Sequence, residues 1–355
     1  AAILRAIFRE VFETIGGKLI VTASCGVSSM AAGKPTDAAE LFRWADIALY
    51  RAKATGRNRI VAFNASMSER VTSRLEIEHS LRGAIDRREM HLFHQPIINI
   101  ENGTVSGLEA LIRWRRPDGT LIHPTDFIGI AEETGQIDEI GAWAILEALT
   151  QLHDWIEDGV VSAETTVSVN VSPRQLADPR FVGVVREALH RSQMPAHLLW
   201  LEVTESVMAE NPQRAQAVLR EIRSTGVRIA LDDFGTGYSS LSLLQQFPIQ
   251  RIKIDQAFVS SLAENENDRT LVRTIIGLGD SMGIDIVAEG VETVVQLRML
   301  RQLGCAKAQG FLISHPVPPE AMRSTITALD SLSEWPEFAN VLGEPHLGRF
   351  PSSGG

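Results

Sequence analysis

Glu109, Asn170, Glu202, Asp232, Asp233, Lys253 and Glu289 stand within or at the ends of short apolar runs, as in GLEALIRW, TTVSVNVS, LLWLEVTES, VRIALDDFG, QRIKID and IDIVAEGV. Gln309 in AKAQGFLIS extends the series. The gaps run from 20 residues (Asp233 to Lys253) to 61 (Glu109 to Asn170), so no local motif explains the set. Singly, Asp232 reads as a helix cap, Asn170 as a turn former and Lys253 as a surface charge. Asp232 and Asp233 are adjacent and repel each other unless a cation sits between them. Five carboxylates brought together cannot all be ionised without cations. With one amide oxygen they form a hard oxygen set that suits Mg²⁺ or Mn²⁺. Five acids exceed what one ion needs, which points to a two-metal site and to phosphoryl transfer.

The elements that must position these residues are strands and helices in alternation. Eight strand candidates occur, the six above with HLFHQPIINI before them and AKAQGFLIS after them. Helical stretches such as IGAWAILEALTQLHDWIED, RFVGVVREALHRS and PQRAQAVLREIRSTG lie between them. This alternation predicts an α/β fold, a (β/α)8 TIM-like barrel. In a barrel the carboxyl ends of the strands share one rim, and the scattered acids would converge there.

The chain has 355 residues, 44% hydrophobic and 22% charged, which suits a globular protein of about two domains. Cys25 and Cys305 form no CxxC pair, which fits a reducing, cytoplasmic setting without structural zinc. No run of residues reads as a membrane span or a signal peptide. The chain opens on Ala1 rather than Met, as an excised piece of a longer protein would. A net charge of -10 argues against binding DNA or RNA duplexes. An anionic ligand remains compatible if metal ions reverse the field in one pocket. GTGYSS lacks the third glycine of a dinucleotide fingerprint, and neither a Walker A sequence nor HExxH occurs. His91 and His94 read as barrel or rim residues rather than ligands.

The ordered motifs, with the Glu-Ala-Leu of residues 109–111 followed by SVNVS, LEVTES, LDDFGTGYSSL, IKID, VAEGVE and QGF, resemble an EAL domain from about 68 to 327. EAL domains are cyclic di-GMP phosphodiesterases. The resemblance implies hydrolysis of cyclic di-GMP to linear pGpG with two divalent ions, Mg²⁺ or Mn²⁺. It assigns one ion to Glu109, Asn170, Glu202 and Asp232. It assigns the other to Asp232, Asp233 and Glu289, with Asp232 bridging. Lys253 matches the lysine on the attacking water, and Glu289 also carries base character. Gln95, Arg113 and Gln309 match substrate contacts. Glu109 and Arg113 are four apart, so in a strand they share a face about 13 Å apart. Glu205 and Glu292 match glutamates of the catalytic set that position loop 234–240, which needs Gly235 and Gly237 for unusual backbone angles. The resemblance also implies a homodimer through the barrel. A non-catalytic receptor for the dinucleotide is the second class, and the full ligand set favours the enzyme. Another phosphodiester substrate is the third option.

TASCGVS followed by ADIALYRAKATGRN is similar to the C-terminal part of a GGDEF domain, the diguanylate cyclase module. Lys53 and Arg57 match residues that contact nucleotide phosphates. The signature GGDEF turn is absent, and GGK at 16–18 is no substitute, so no cyclase activity is expected. The expected organisation is an N-terminal α+β fragment of a GGDEF domain over 1–64, the barrel over 65–329 and a tail over 330–355.

Overall fold

The computed structural model describes residues 11–14, 17–20, 22–30, 37–54, 56–205, 212–235, 244 and 246–330. The chain falls into two compact units, Ala1–Arg82 and Gly83–Gly355. The expected tail lies outside the described residues, apart from residue 330.

In the first unit, β1 (Val11–Thr14) and β2 (Gly17–Ile20) pair antiparallel, with Val11 opposite Ile20. The strands β3 (Cys25–Val27) and β4 (Ile60–Ala62) pair in parallel. Parallel neighbours need a crossover, and α1 (Ala38–Ala54) supplies it. A β-carbon on Gly26 would meet the Ala45 carbonyl oxygen at 2.0 Å, so only glycine lets α1 lie this close to β3. Trp44 and Ala48 of α1 pack with Phe63 and Met67. The Trp44 and Phe63 rings stack at 4.7 Å. Met67 belongs to α2 (Ala65–Leu81), whose N-cap is Asn64. The boundary expected after 64 therefore falls at the start of α2. The compact units part at its far end, where Gly83 takes a φ of 71°.

The second unit is the expected barrel. Its strands are β5 (Met90–Asn99), β6 (Val105–Arg115), β7 (Leu121–Ile122), β8 (Thr166–Asn170), β9 (Leu199–Thr204), β10 (Arg228–Phe234), β11 (Arg251–Ile254), β12 (Asp285–Ala288) and β13 (Lys307–Ala308). The order β5-β13-β12-β11-β10-β9-β8-β6 closes through β5 and β6, and β7 pairs only with the end of β6. The helices α3 (Pro124–Thr134), α4 (Ile137–Glu157), α5 (Pro173–Leu176), α6 (Phe181–Ser192), α7 (Pro212–Ser224), α8 (Gln256–Ser260), α9 (Glu266–Met282), α10 (Val294–Gln302) and α11 (Met322–Asp330) follow in chain order. Leu199, Leu201 and Val203 of β9 join Val185, Leu219 and Ile222 of the helices in one apolar cluster. Period two then turns Trp200 and Glu202 towards the barrel interior.

One strand departs from simple alternation. β5 runs antiparallel to both neighbours, β6 and β13. Its link to β6 is a tight turn around Asn102 and Gly103, closed by Gly103 N donating to the Asn99 carbonyl and Asn99 N donating to Thr104. That link is too short for a crossover, so the two strands form a hairpin.

His94, on β5, is fully buried against the edge of Trp155, with ring centroids 4.8 Å apart. Among the described residues neither ring nitrogen has a hydrogen-bond partner. Burial pushes its pKa down to about 3 from an ordinary 6.5. The unfolded chain therefore takes up the proton first. The stability of the neutral form is complete above about pH 6.5 and is lost as pH falls from there towards 3, about 2 kcal/mol of it by pH 5. Glu202, whose pKa is raised, slopes the opposite way over this range. Urea midpoints at pH 5, 6 and 7 are expected to fall less steeply for His94→Leu than for the parent chain. Equal slopes would assign the acid sensitivity to other groups.

Candidate active site

Neighbouring strands deliver their polar side chains to one end of the barrel. Register places Gln95 opposite Glu109, Asn170 beside Glu202, and Asp232 beside Thr204. Lys253 lies one residue before the end of β11, Glu289 directly follows β12 and Gln309 directly follows β13.

Lys253 is the hub. It is 1% exposed, and its Nζ lies 2.6 Å from Glu289 Oε1, 2.7 Å from Glu202 Oε2, 3.1 Å from Glu109 Oε2 and 3.3 Å from Asp232 Oδ1. Four residues far apart in sequence thus share one ammonium. Gln309 Nε2 donates to Glu109 Oε2 at 2.6 Å and to Gln95 Oε1 at 2.9 Å. Gln95 Nε2 is anchored on the Ser314 carbonyl at 2.8 Å. Asn170 Nδ2 donates to Glu109 Oε1 at 3.0 Å, and among the described residues its side-chain oxygen accepts no hydrogen bond.

One ammonium cannot neutralise this many acids, and the proton affinities show where the strain falls. Desolvation opposes ionised Glu109. The Lys253 charge and the hydrogen bonds from Gln309 and Asn170 outweigh it, so the pKa lies below the carboxylate range. Desolvation pushes Glu202 up to about 8, against the pull of Lys253 and with a further push from Glu109 and Asp232. Desolvation likewise raises Glu289 well above its ordinary value. Asp233 rises to about 6, through desolvation, the Asp232 charge and a hydrogen bond shared with Asp255. Burial opposes the Lys253 charge, but its carboxylate ring wins and holds the proton on. Protons therefore sit on part of the cluster, where a cation would otherwise bind.

The donor set fits a divalent cation. Asp232, Asp233 and Glu289 each offer an oxygen, all within 4.8 Å of one another. Among the described residues Glu202 Oε1 is buried without a hydrogen-bond donor, and Asp232 Oδ1 faces the Lys253 ammonium at 3.3 Å. Adjacent residues on a regular strand point to opposite faces. Here the pairing of β10 with β11 shifts register between Leu231 and Phe234, and Asp233 takes a φ of 53°. That irregularity lets Asp232 and Asp233 serve one place. Asp255 was not anticipated from the sequence. Its position two residues after Lys253, at the same strand end, is the signal that could have found it.

The loop after β10 starts at Gly235, whose backbone N donates to Oε1 of Glu205, just past β9, at 3.0 Å. Gly235 has a φ of 104°, and a β-carbon there would meet the Phe258 ring at 2.7 Å. Residues 236–243, with Gly237, lie outside the described residues. Glu292 is exposed, and its backbone N donates to Gln296 Oε1 at 2.8 Å. Arg113 is half-buried, with its guanidinium 5.6 Å over Phe93 and Nη1 donating to the Ile112 carbonyl. Among the described residues neither Arg113 nor Glu292 hydrogen-bonds to the acidic cluster. Arg113 sits four residues beyond Glu109 on the same strand face of β6.

A family model described as "EAL domain" matches residues 78–316, and one described as "Diguanylate cyclase, GGDEF domain" matches residues 2–59. The chain is 40% identical over 307 residues to the "Bifunctional diguanylate cyclase/cyclic di-GMP phosphodiesterase MucR" of Pseudomonas aeruginosa, covering 86% of this chain and 44% of that protein. It spans less than half the length of the first curated relatives it matches. The solved "PaMucR Phosphodiesterase, c-di-GMP complex" is 41% identical with a TM-score of 0.66, over 70% of this chain and 99% of that one. "EAL Enzyme Bd1971" in its "cAMP and cyclic-di-GMP bound form" is 30% identical with a TM-score of 0.69, over 84% of this chain and 77% of that one. Among the described residues no helix is long and apolar enough to cross a membrane.

Proposed function

Since the chain belongs to the EAL domain family, we propose that its barrel hydrolyses cyclic di-GMP to linear pGpG. The observation that carries this reading is the convergence of Glu109, Glu202, Asp232 and Glu289 on Lys253, with Asn170, Gln95 and Gln309 bonded into the same network. Glu109, Asn170, Glu202 and Asp232 would hold one Mg²⁺ or Mn²⁺. Asp232, Asp233 and Glu289 would hold a second. Bound there, the ions would supply positive charge for the phosphoryl oxygens and a lowered pKa for a water.

The chain's own residues do the rest. Gln95, Gln309 and Arg113 bind and orient the dinucleotide. Lys253 orients the attacking water, and Glu289, ionised once a cation is bound, would accept the water proton. One P–O bond forms to the water oxygen and one P–O bond to a ribose oxygen breaks. The leaving ribose oxygen takes up a proton. Glu205 holds the first turn of loop 234–240, and Glu292 is assigned to the same loop. Homodimerisation through the barrel and a cytoplasmic location belong to the same reading. The -10 net charge supports a ligand other than a nucleic-acid duplex.

The test is product identification. The purified chain is incubated with cyclic di-GMP and Mg²⁺ or Mn²⁺, and products are resolved by ion exchange. The expected result is pGpG with either ion and none with chelator. Tight binding without product would place the chain among non-catalytic receptors. Turnover of other cyclic dinucleotides at the same rate would remove the guanine preference.

A further inference from the structure

The barrel has a second polar end. Two or four residues before the residues of the acidic cluster, on the same strand faces, stand Trp200, Arg228, Arg251, Asp285 and Lys307. They mark the N-terminal ends of β9 to β13, at the opposite end of the barrel from the acids. Two adjoining concavities open there, of about 510 and 470 Å³, and both are lined by Arg228 and Lys307.

Four cations, Arg223, Arg228, Arg251 and Lys307, line the two concavities against two carboxylates, Asp285 and Glu164, a positive surplus in an acidic chain. Asp285 Oδ2 accepts from Arg251 Nε at 2.9 Å and from Lys307 Nζ at 2.6 Å, one carboxylate for two cations. Arg228 and Arg223 also line the concavity, and among the described residues neither has a carboxylate partner. The Arg228 and Arg251 guanidiniums lie 5.4 and 3.8 Å from the centre of the Trp200 ring, so like charges are held together. Arg251 is 3% exposed, and among the described residues its Nη1 has no acceptor. Among the same described residues Trp200 Nε1 and Thr165 Oγ1 are buried without partners as well. Unmatched buried donors around surplus positive charge call for a ligand that only accepts hydrogen bonds.

We propose that the barrel floor binds a phosphate group, free or carried by a nucleotide, at a site separate from the acidic rim. The guanidiniums and Lys307 supply charge-assisted hydrogen bonds, and Arg228 is the principal contact. Phosphate binding at the floor needs none of the chemistry assigned to the rim.

The experiment is calorimetric titration of the full chain with sodium pyrophosphate in chelator, against sodium chloride of equal ionic strength. Chelator removes metal-bridged binding at the rim. Saturable binding is expected, weakened about tenfold or more in Arg228→Gln and in Lys307→Gln and retained in Glu109→Ala. Far-UV circular dichroism and urea midpoints show whether each variant is folded. GMP and inorganic phosphate distinguish the sources. Binding of GMP that is lost in Arg228→Gln points to a nucleotide phosphate. Binding of phosphate without GMP points to the free anion. Absence of saturable binding by the parent chain would overturn the proposal. So would parent-like affinity in both floor variants, or loss of binding in Glu109→Ala.

Discussion

Glu109→Ala is expected to lower cyclic di-GMP turnover by about a thousandfold or more while leaving the barrel folded. Glu109 is 5% exposed and engages Lys253, Gln309 and Asn170 at once. Its removal takes away a proposed metal ligand and releases the two amides that it orients. The fold is expected to tolerate the change, because Lys253 keeps Glu202, Asp232 and Glu289. Single-turnover rates in Mn²⁺ and a thermal melt of the same sample separate the two effects. A folded variant that retains a tenth or more of the parent rate would remove Glu109 from the machinery.

The second large effect concerns the cation itself. Lys253→Met leaves Glu109, Glu202, Asp232 and Glu289 around an apolar side chain. Removing one partner from a buried ion network costs roughly 3–5 kcal/mol. For a unit of this size that corresponds to a drop of roughly 10 °C in Tm in chelator. Protonation of several acids limits the loss, which should therefore deepen as pH rises from 6 to 8. Mn²⁺ is expected to stabilise the variant more than the parent, because a divalent ion replaces the missing charge. Turnover is expected to stay low even at saturating Mn²⁺, since the water has lost its orienting donor. Parent-like stability in chelator would show that the acids are held apart by something other than Lys253. Full recovery of rate by metal would make the lysine structural alone.

Much of this arrangement was legible because each functional residue interrupts an apolar run. Glu202 in LLWLEVTES stands out against its strand, and alternation of strands and helices says where strand ends must meet. The reversed direction of β5 was less visible, although Asn102 and Gly103 mark the turn that causes it. Strand direction depends on what closes the sheet, and a list of strands does not contain it. The fourfold contact of Lys253 was hidden for a related reason. A lysine among apolar residues reads the same whether it meets one acid or four. The floor was the least legible part. Arg228, Arg251 and Lys307 each begin a strand, where an isolated cation reads as solvent-facing charge. Only strand register brings them round one tryptophan.

Asp233 holds a left-handed backbone angle, a conformation that asparagine accepts about as readily as aspartate. Replacement by asparagine would preserve the turn and the strand pairing while deleting one negative charge. Aspartate and asparagine codons differ by a single base. The backbone that brings the two acids together therefore also leaves open a short evolutionary path, along which a lineage loses one proposed metal ligand and keeps its architecture.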